Sequence, residues 1–247
     1  MKLAAIYNVF DGVELLPYSI KSIANHVDVI IIVYQNTSNF GEEKRTDIEL
    51  MQLIYKIHPN ITAILFTPKQ INGTKNETEK RQLGLEKAKE MNCTHFMFMD
   101  CDEIYEDFSK AKKEFIQSGA SGSVCKMFTY FKYPTLRFEY EDNYFVPFIH
   151  ELKKDTVCGV KEYPFYVDPT RKVNCESVSL LSERMHHFSW VREDIELKVR
   201  NSSAKSNIEK STLLKDYYNE DCKDGYYVDG FGQKLILVEN KFLISFL

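Results

Sequence analysis

The sequence predicts an α/β protein: a mostly parallel, Rossmann-like sheet flanked by helices, followed by an irregular α+β half. Three observations carry this. Apolar runs and helix-patterned runs alternate through the first hundred or so residues in the order β-α-β-α-β, the pattern of parallel strands joined by crossover helices. His95-Phe96-Met97-Phe98-Met99 is a mostly apolar run that stops on Asp100-Cys101-Asp102-Glu103, a buried strand ending in three carboxylates. Beyond residue 110 or so the alternation gives way to aromatic-rich chain broken by Pro134, Pro147, Pro164 and Pro169. The chain therefore divides into residues 1–110 and 111–247, two parts of one domain.

Taken in order, residues 3–7 are a short apolar strand. Val13 to Ala24 follows with helical spacing: Leu16, Ile20 and Ile23 share a face, and Pro17 places the helix start close by. Val27 to Tyr34 is the plainest buried strand, and a polar loop, Gln35 to Gly41, leads to a helix over residues 42–57. Asn60 to Phe66 is the third strand. A helix from Asn76 to Met91 comes next, with Asn76 and Glu79 at capping-box spacing and Leu85, Ala88 and Met91 as its sheet-facing stripe. Asp107 to Ser118 reads as a charged helix and Ser121 to Tyr133 as a strand. Glu193 to Ser203 is a further helix, and the apolar end, Lys234 to Leu247, reads as a segment docked on the core, with an interfacial membrane contact or a dimer seam as alternatives.

Composition narrows the classes. An apolar fraction of 44% in 247 residues supports a sizeable core. Lys+Arg 32 against Asp+Glu 36 gives a net charge of −4, with no basic excess to suggest a nucleic-acid partner. The six cysteines show no CxxC pair and no zinc-like spacing. The first residues are too short an apolar run for a signal peptide, and no stretch reaches membrane-spanning length, so the expected location is cytoplasmic and reducing.

The chemistry concentrates at the acidic strand end. In an open α/β sheet ligands sit beyond the carboxyl ends of the central strands. Asp100 and Asp102 can both face a divalent cation, a hard ion that prefers oxygen ligands. A crossover helix runs antiparallel to its strands, so Arg81, near the start of its helix, lies at that same edge, where a guanidinium can pair with a carboxylate or clamp a phosphate. Arg184 to Arg192 forms a second cluster with the only Trp and two adjacent histidines, His186 and His187, either of which can complete a cation site begun by Asp102. The rings from Phe128 to Phe148 suit the walls of a sugar or base site, although most of them serve equally well as core.

Together these residues resemble nucleotide-sugar glycosyltransferases of the GT-A fold, closest to the family-2-like bacterial enzymes. Ile6-Tyr7-Asn8-Val9-Phe10-Asp11-Gly12 is similar to that family's opening strand and loop. Lys80-Arg81-Gln82-Leu83-Gly84 is similar to its Arg-Asn-x-Gly, and Asp100-Cys101-Asp102 to its Asp-x-Asp. The resemblance implies that Tyr7 and Asn8 line the nucleotide pocket, that Arg81 lies near the nucleotide, and that Asp100 contacts ribose or metal. Asp102 would hold Mn²⁺ or Mg²⁺, with His187 (or His186) completing the shell. Residues 1–110 would bind the nucleotide sugar and 111–247 the acceptor, a glycan or a lipid-linked one at the inner face of the membrane, as in surface polysaccharide or lipooligosaccharide synthesis. The family's acidic residue after the second strand is replaced here by the amides of Tyr34-Gln35-Asn36-Thr37-Ser38, and UDP is the default donor nucleotide. Its later catalytic base has no clear match; Asp142 and Glu151 are the candidates. A sugar-phosphate nucleotidyltransferase is the alternative enzyme, though Asn8 to Glu14 lacks the basic, Gly-rich loop it needs. A non-catalytic sugar- or nucleotide-binding module is the alternative outside enzymes.

Overall fold

The computed structural model describes residues 1–41, 61–69, 71–201 and 210–245. Strand β1 (Leu3–Val9) is central and wholly buried, with β2 (Val29–Tyr34) parallel on one side and β4 (His95–Asp100) parallel on the other. β3 (Ile61–Leu65) continues the parallel set beside β2. The helix expected over residues 42–57 lies outside the described residues.

Helix α1 (Leu16–Ile23) buries Leu16, Ser19, Ile20 and Ile23, the spacing of one helical face, and Pro17 occupies its first turn, where a missing N–H costs nothing. The second helix, α2 (Gly73–Glu90), starts a turn earlier than the sequence suggests. Its cap is Asn72, whose side chain accepts from the Lys75 N–H at 2.9 Å; Asn76 lies inside the helix and buried. The buried face of α2 changes character along its length: Asn76, Lys80 and Arg81 first, then Gly84, Leu85 and Ala88. The apolar half packs on the sheet, and the polar half reaches the carboxyl edge, where charge is needed.

The chain then turns back. A short β5 (Glu103–Tyr105) precedes α3 (Phe108–Ser118), which is capped by Asp107 and ended by Gly119 in the left-handed region at φ 64°. β6 (Gly122–Phe131), β7 (Leu136–Phe138) and β8 (Val146–Glu151) extend the sheet antiparallel, β8 pairing with both β4 and β6. The largest departure from expectation is β9 (Val178–Trp190), a thirteen-residue strand parallel to β6 and antiparallel to β5. It carries Ser, Glu, Arg and His among its apolar residues, so no clean periodicity announces it. Helices α4 (Ile195–Asn201) and α5 (Lys210–Tyr218) and the hairpin β10 (Tyr227–Val228) to β11 (Gln233–Leu237) complete the second half. β11 pairs with β7, and Ile244 is buried against Leu15, Phe188 and Val191, so the apolar C-terminal segment is docked on the core. No helix among the described residues is long and apolar enough to cross a membrane.

The tightest helix–sheet contact is at Gly84: a β-carbon there would overlap Cγ2 of Ile6 on β1. Ile6 is β-branched and fully buried, so it has nowhere to move. Gly84→Ala is expected to destabilise the fold by about 1–3 kcal/mol despite alanine's better helix propensity. Urea unfolding measures this; an unchanged or raised midpoint would show that α2 can lift away from β1.

Candidate active site

Beyond the carboxyl ends of β1, β2 and β4 lies a cleft of about 560 Å³, within the range of small-molecule sites. Successive strand residues point to opposite faces, and this alternation sorts the candidates. On β1, Asn8 lines the cleft. Tyr7 does not: it is fully buried in the core below, with its hydroxyl 3.0 Å from Ser19 Oγ. Ser19 Oγ donates its own proton to the Glu103 carbonyl at 2.6 Å, so Tyr7 is the donor of the pair. Tyr7 is therefore a packing residue rather than a wall of a nucleotide pocket. At the β2 end Gln35 lines the cleft in place of an acid, donating to Asn39 at 3.2 Å. Among the described residues Gln35 Oε1 and both amide atoms of Asn8 are buried without a hydrogen-bond partner.

The three carboxylates at the β4 end are neutralised by cations from four separate segments. Asp100 accepts from Arg81 Nη2 at 3.3 Å and from Arg171 Nη2 at 2.5 Å. Arg171 also forks onto Glu103, at 2.5 and 3.2 Å, and Glu103 Oε2 accepts the Asp100 N–H at 3.0 Å. Asp102 Oδ2 accepts from Arg192 and from Lys198 at 3.4 Å. Burial pushes every one of these carboxyls upward. For Asp100 the two guanidiniums outweigh it, and for Asp102 Lys198, Arg192 and His187 together do, holding both well below the usual range. Glu103 is the exception: burial dominates over Arg171 and raises it.

Arg171, Arg192, Lys198 and Lys80 all line the cleft, and motif spacing singled out none of them. Arg171 ends a one-turn 3₁₀ segment, Pro169–Arg171, held by the Asp168 side chain accepting from Thr170 N at 2.8 Å. Arg192 follows β9 directly, its guanidinium donating to the Phe188 and Val191 carbonyls at 2.9 and 3.2 Å. Gly12 makes room for it: a β-carbon there, at φ 71°, would sit 3.2 Å from Arg192 Cζ.

β9 also decides between the two histidines. His187 faces the cleft, with Nε2 3.7 Å from Asp102 Oδ1. His186 faces away, its Nδ1 2.9 Å from the Tyr130 hydroxyl and its ring against Phe242, so it is not a cleft residue. Burial lowers His187 to about 4 against the pull of Asp102, which leaves a neutral imidazole available as a ligand. Among the described residues no three His, Cys, Asp or Glu side chains are arranged to hold a metal ion by themselves. Among the described residues Asp102 Oδ1 is buried without a hydrogen-bond partner. That oxygen and His187 Nε2 fit a divalent cation that draws its remaining oxygens from a bound ligand. Asp100 lines the same cleft, its carboxylate already accepting from Arg81 and Arg171.

Of the two candidate bases, Asp142 lines the cleft and accepts from Thr129 Oγ1 at 2.8 Å; burial raises its carboxyl, with Thr129 opposing. Glu151 is ruled out. It pairs across from His95 at the amino end of β4, the opposite edge of the sheet, and its half-exposed carboxylate lies 3.6 Å from Lys153. Arg81 reaches the right edge of the sheet but is fully buried and does not line the cleft.

The parallel order β3-β2-β1-β4, an antiparallel extension and an acidic end on β4 are the arrangement expected of a GT-A fold. No family model matches the chain, and no curated protein matches it in sequence. Among solved structures it is similar to S. aureus TarS 1–349, with a TM-score of 0.49 and 13% identity over 89% of this chain and 71% of that one. The complex of that protein with UDP-GlcNAc gives a TM-score of 0.49 and 14% identity over 89% and 72%. A 4-diphosphocytidyl-2C-methyl-D-erythritol synthase gives 0.37 and 11% over 72% and 73%.

Two outcomes follow from the ion network and the buried rings. Arg171→Met strands Glu103 in the core and is expected to cost about 3–5 kcal/mol in urea unfolding, part of it recovered in Arg171→Met/Glu103→Gln; no recovery would mean that Arg171 stabilises through Asp100 or by packing rather than through Glu103. Burial holds both His150 and His186 down at about 4, from an ordinary value of 6.5. The unfolded chain takes up these protons first, so their contribution to stability is full above pH 6.5 and falls as the pH drops toward 4. Glu103, raised by burial, opposes them in the same window, so the check is a difference: between pH 6.5 and 4 the melting temperature of His150→Gln should fall less, or rise more, than that of wild type, and identical profiles would show that the His150 ring is not held neutral.

Proposed function

We propose that this chain is a metal-dependent glycosyltransferase that moves a sugar from a nucleotide-diphosphate sugar, UDP-linked by default, to a glycan or lipid-linked acceptor in surface polysaccharide or lipooligosaccharide synthesis. One observation carries the reading. A single cleft holds the Asn8 amide and the Gln35 Oε1, neither partnered among the described residues, together with the Asp102–His187 pair and the buried carboxyl of Asp142. The amides supply neutral donors and acceptors suited to a base edge.

Asp102 and His187 would hold Mn²⁺ or Mg²⁺, which acts as a Lewis acid toward the charge that develops on a departing diphosphate. Arg192 and Lys198 line the same part of the cleft and add fixed positive charge there. Asp142 is the proposed base for the acceptor hydroxyl. Its upward shift brings it nearer the operating pH, which favours proton transfer, and Thr129 fixes the carboxylate's orientation. Trp190, Tyr144 and Phe231 line the cleft on the side of the second half and offer apolar faces to an acceptor sugar.

Thermal shift with UDP-, GDP-, CMP- and dTDP-sugars, with and without Mn²⁺, tests this. One nucleotide should raise the melting temperature only with the metal, and Asp102→Asn or His187→Ala should abolish that shift. Asp142→Asn should keep the shift while release of nucleoside diphosphate falls about 10²-fold or more. A panel flat for every nucleotide would exclude the transferase in favour of a module without a nucleotide ligand, and wild-type release by the Asp142 variant would remove it as the base.

A further inference from the structure

Arg81 is the residue that motif resemblance places at the nucleotide, yet it is closed off from the cleft. Its guanidinium is fully buried and donates to Thr170 through Nε at 3.2 Å and to Asp100 through Nη2 at 3.3 Å. The residue before it is in the opposite situation. One step along a helix turns a side chain by about 100°, and this brings Lys80, with Glu77 one turn earlier, to the cleft wall.

Lys80 is 3% exposed. Among the described residues its ammonium has no hydrogen-bond partner and no carboxylate at ion-pair distance; Glu77 and Asp100 act on it only from farther off. A lysine normally keeps its head in water by extending its stem. Here the stem is buried and the head meets only the cleft, and an ammonium so largely withdrawn from water without a partner is costly. Burial accordingly lowers it to about 8, even with Glu77 and Asp100 pulling the other way. An anion entering the cleft would supply the missing counter-charge.

The position selects which anion. Asn8 lies in register with Asp100 on the neighbouring strand, and Gln35 follows β2 on the far side of β1. The edge therefore runs from Gln35 through Asn8 to Asp100 and on to Asp102. Lys80 lines the same cleft as Gln35, Asn8 and Asp102, and the residue after it, Arg81, reaches Asp100 at 3.3 Å, so Lys80 stands at the Asp100 stretch of this edge, between the amides and Asp102. A nucleotide laid along this edge, base at the amides and leaving phosphate at Asp102, passes Lys80 with the phosphate that is joined to the ribose. We propose that Lys80 is the phosphate-binding lysine of this cleft and contacts the ribose-linked phosphate of the donor nucleotide. The assignment rests on the nucleotide-sugar reading above.

The test is calorimetric titration, with Mn²⁺ present throughout, of uridine, UMP and UDP into wild type and Lys80→Met, alongside the ligand-free melting temperatures, with Lys80→Gln as a second variant should the first fold poorly. UMP and UDP are expected to bind at least about tenfold more weakly to the variant while uridine changes by less than about twofold, since a charge-assisted hydrogen bond is lost only with the phosphate present. The ligand-free melting temperature of Lys80→Met should rise, because an unpartnered buried charge is replaced by an apolar chain. An equal loss for uridine would overturn the proposal by placing Lys80 at the ribose or base. Unchanged UMP binding with a lowered melting temperature would make it a structural residue. If wild type binds none of the three, nor the guanine, cytosine and thymine counterparts, the nucleotide reading fails and the assignment goes with it.

Discussion

Burying three carboxylates at the end of one strand is the constraint on which the rest of the structure depends. Asp100, Asp102 and Glu103 follow β4 out of the middle of the sheet, and charges in that position are sustained only if cations are brought to them. The cations come from the start of α2, the turn at Pro169–Arg171, the end of β9 and helix α4. Each ion pair fastens a remote segment to the carboxyl edge. The second half of the chain thus closes over the first by charge as well as by strand pairing, and the cleft is the space left between them.

Roles within the cleft turn on single-residue phase. Tyr7 and Asn8, His186 and His187, and Lys80 and Arg81 are adjacent pairs in which one member faces the site and the other the interior. In the strands the alternation is set by pleating, and in α2 by the turn of the helix. The interior member is no spectator. Arg81 anchors Asp100, Tyr7 and Ser19 bind the backbone below Glu103, and His186 ties β9 to Tyr130. These contacts hold the site-facing neighbours in place.

By its lining residues the cleft is acidic rather than basic. Along one wall Arg171, Arg192, Lys198 and Lys80 face Asp100, Asp102, Glu103 and Glu77, and Asp11, Asp142 and Asp168 add further acids to the lining. Such a surface attracts no polyanion indiscriminately, in keeping with the chain's net charge of −4, but it offers directed positive groups to a ligand that fits.

The parallel half was legible in the sequence because its strands are unbroken apolar runs and α1 carries a regular stripe; local pattern there equals burial. Asp100, Asp102, Arg81 and the cluster around His187 were legible as chemistry for a similar reason, since charges beside apolar runs stand out. Strand β9 was not, because its two faces meet different partners, β5 and β6 along its edges and the cleft at its end, and no single period describes it. Nor could spacing show that Glu151 lies at the wrong edge, or that Arg171, 71 residues from Asp100, completes the acidic site. The sequence alone determined that carboxylates end a central strand, because hydrophobic patterning is local. Which side chains meet them was decided only by tertiary structure, because strand order and pleat phase are properties of the assembled sheet.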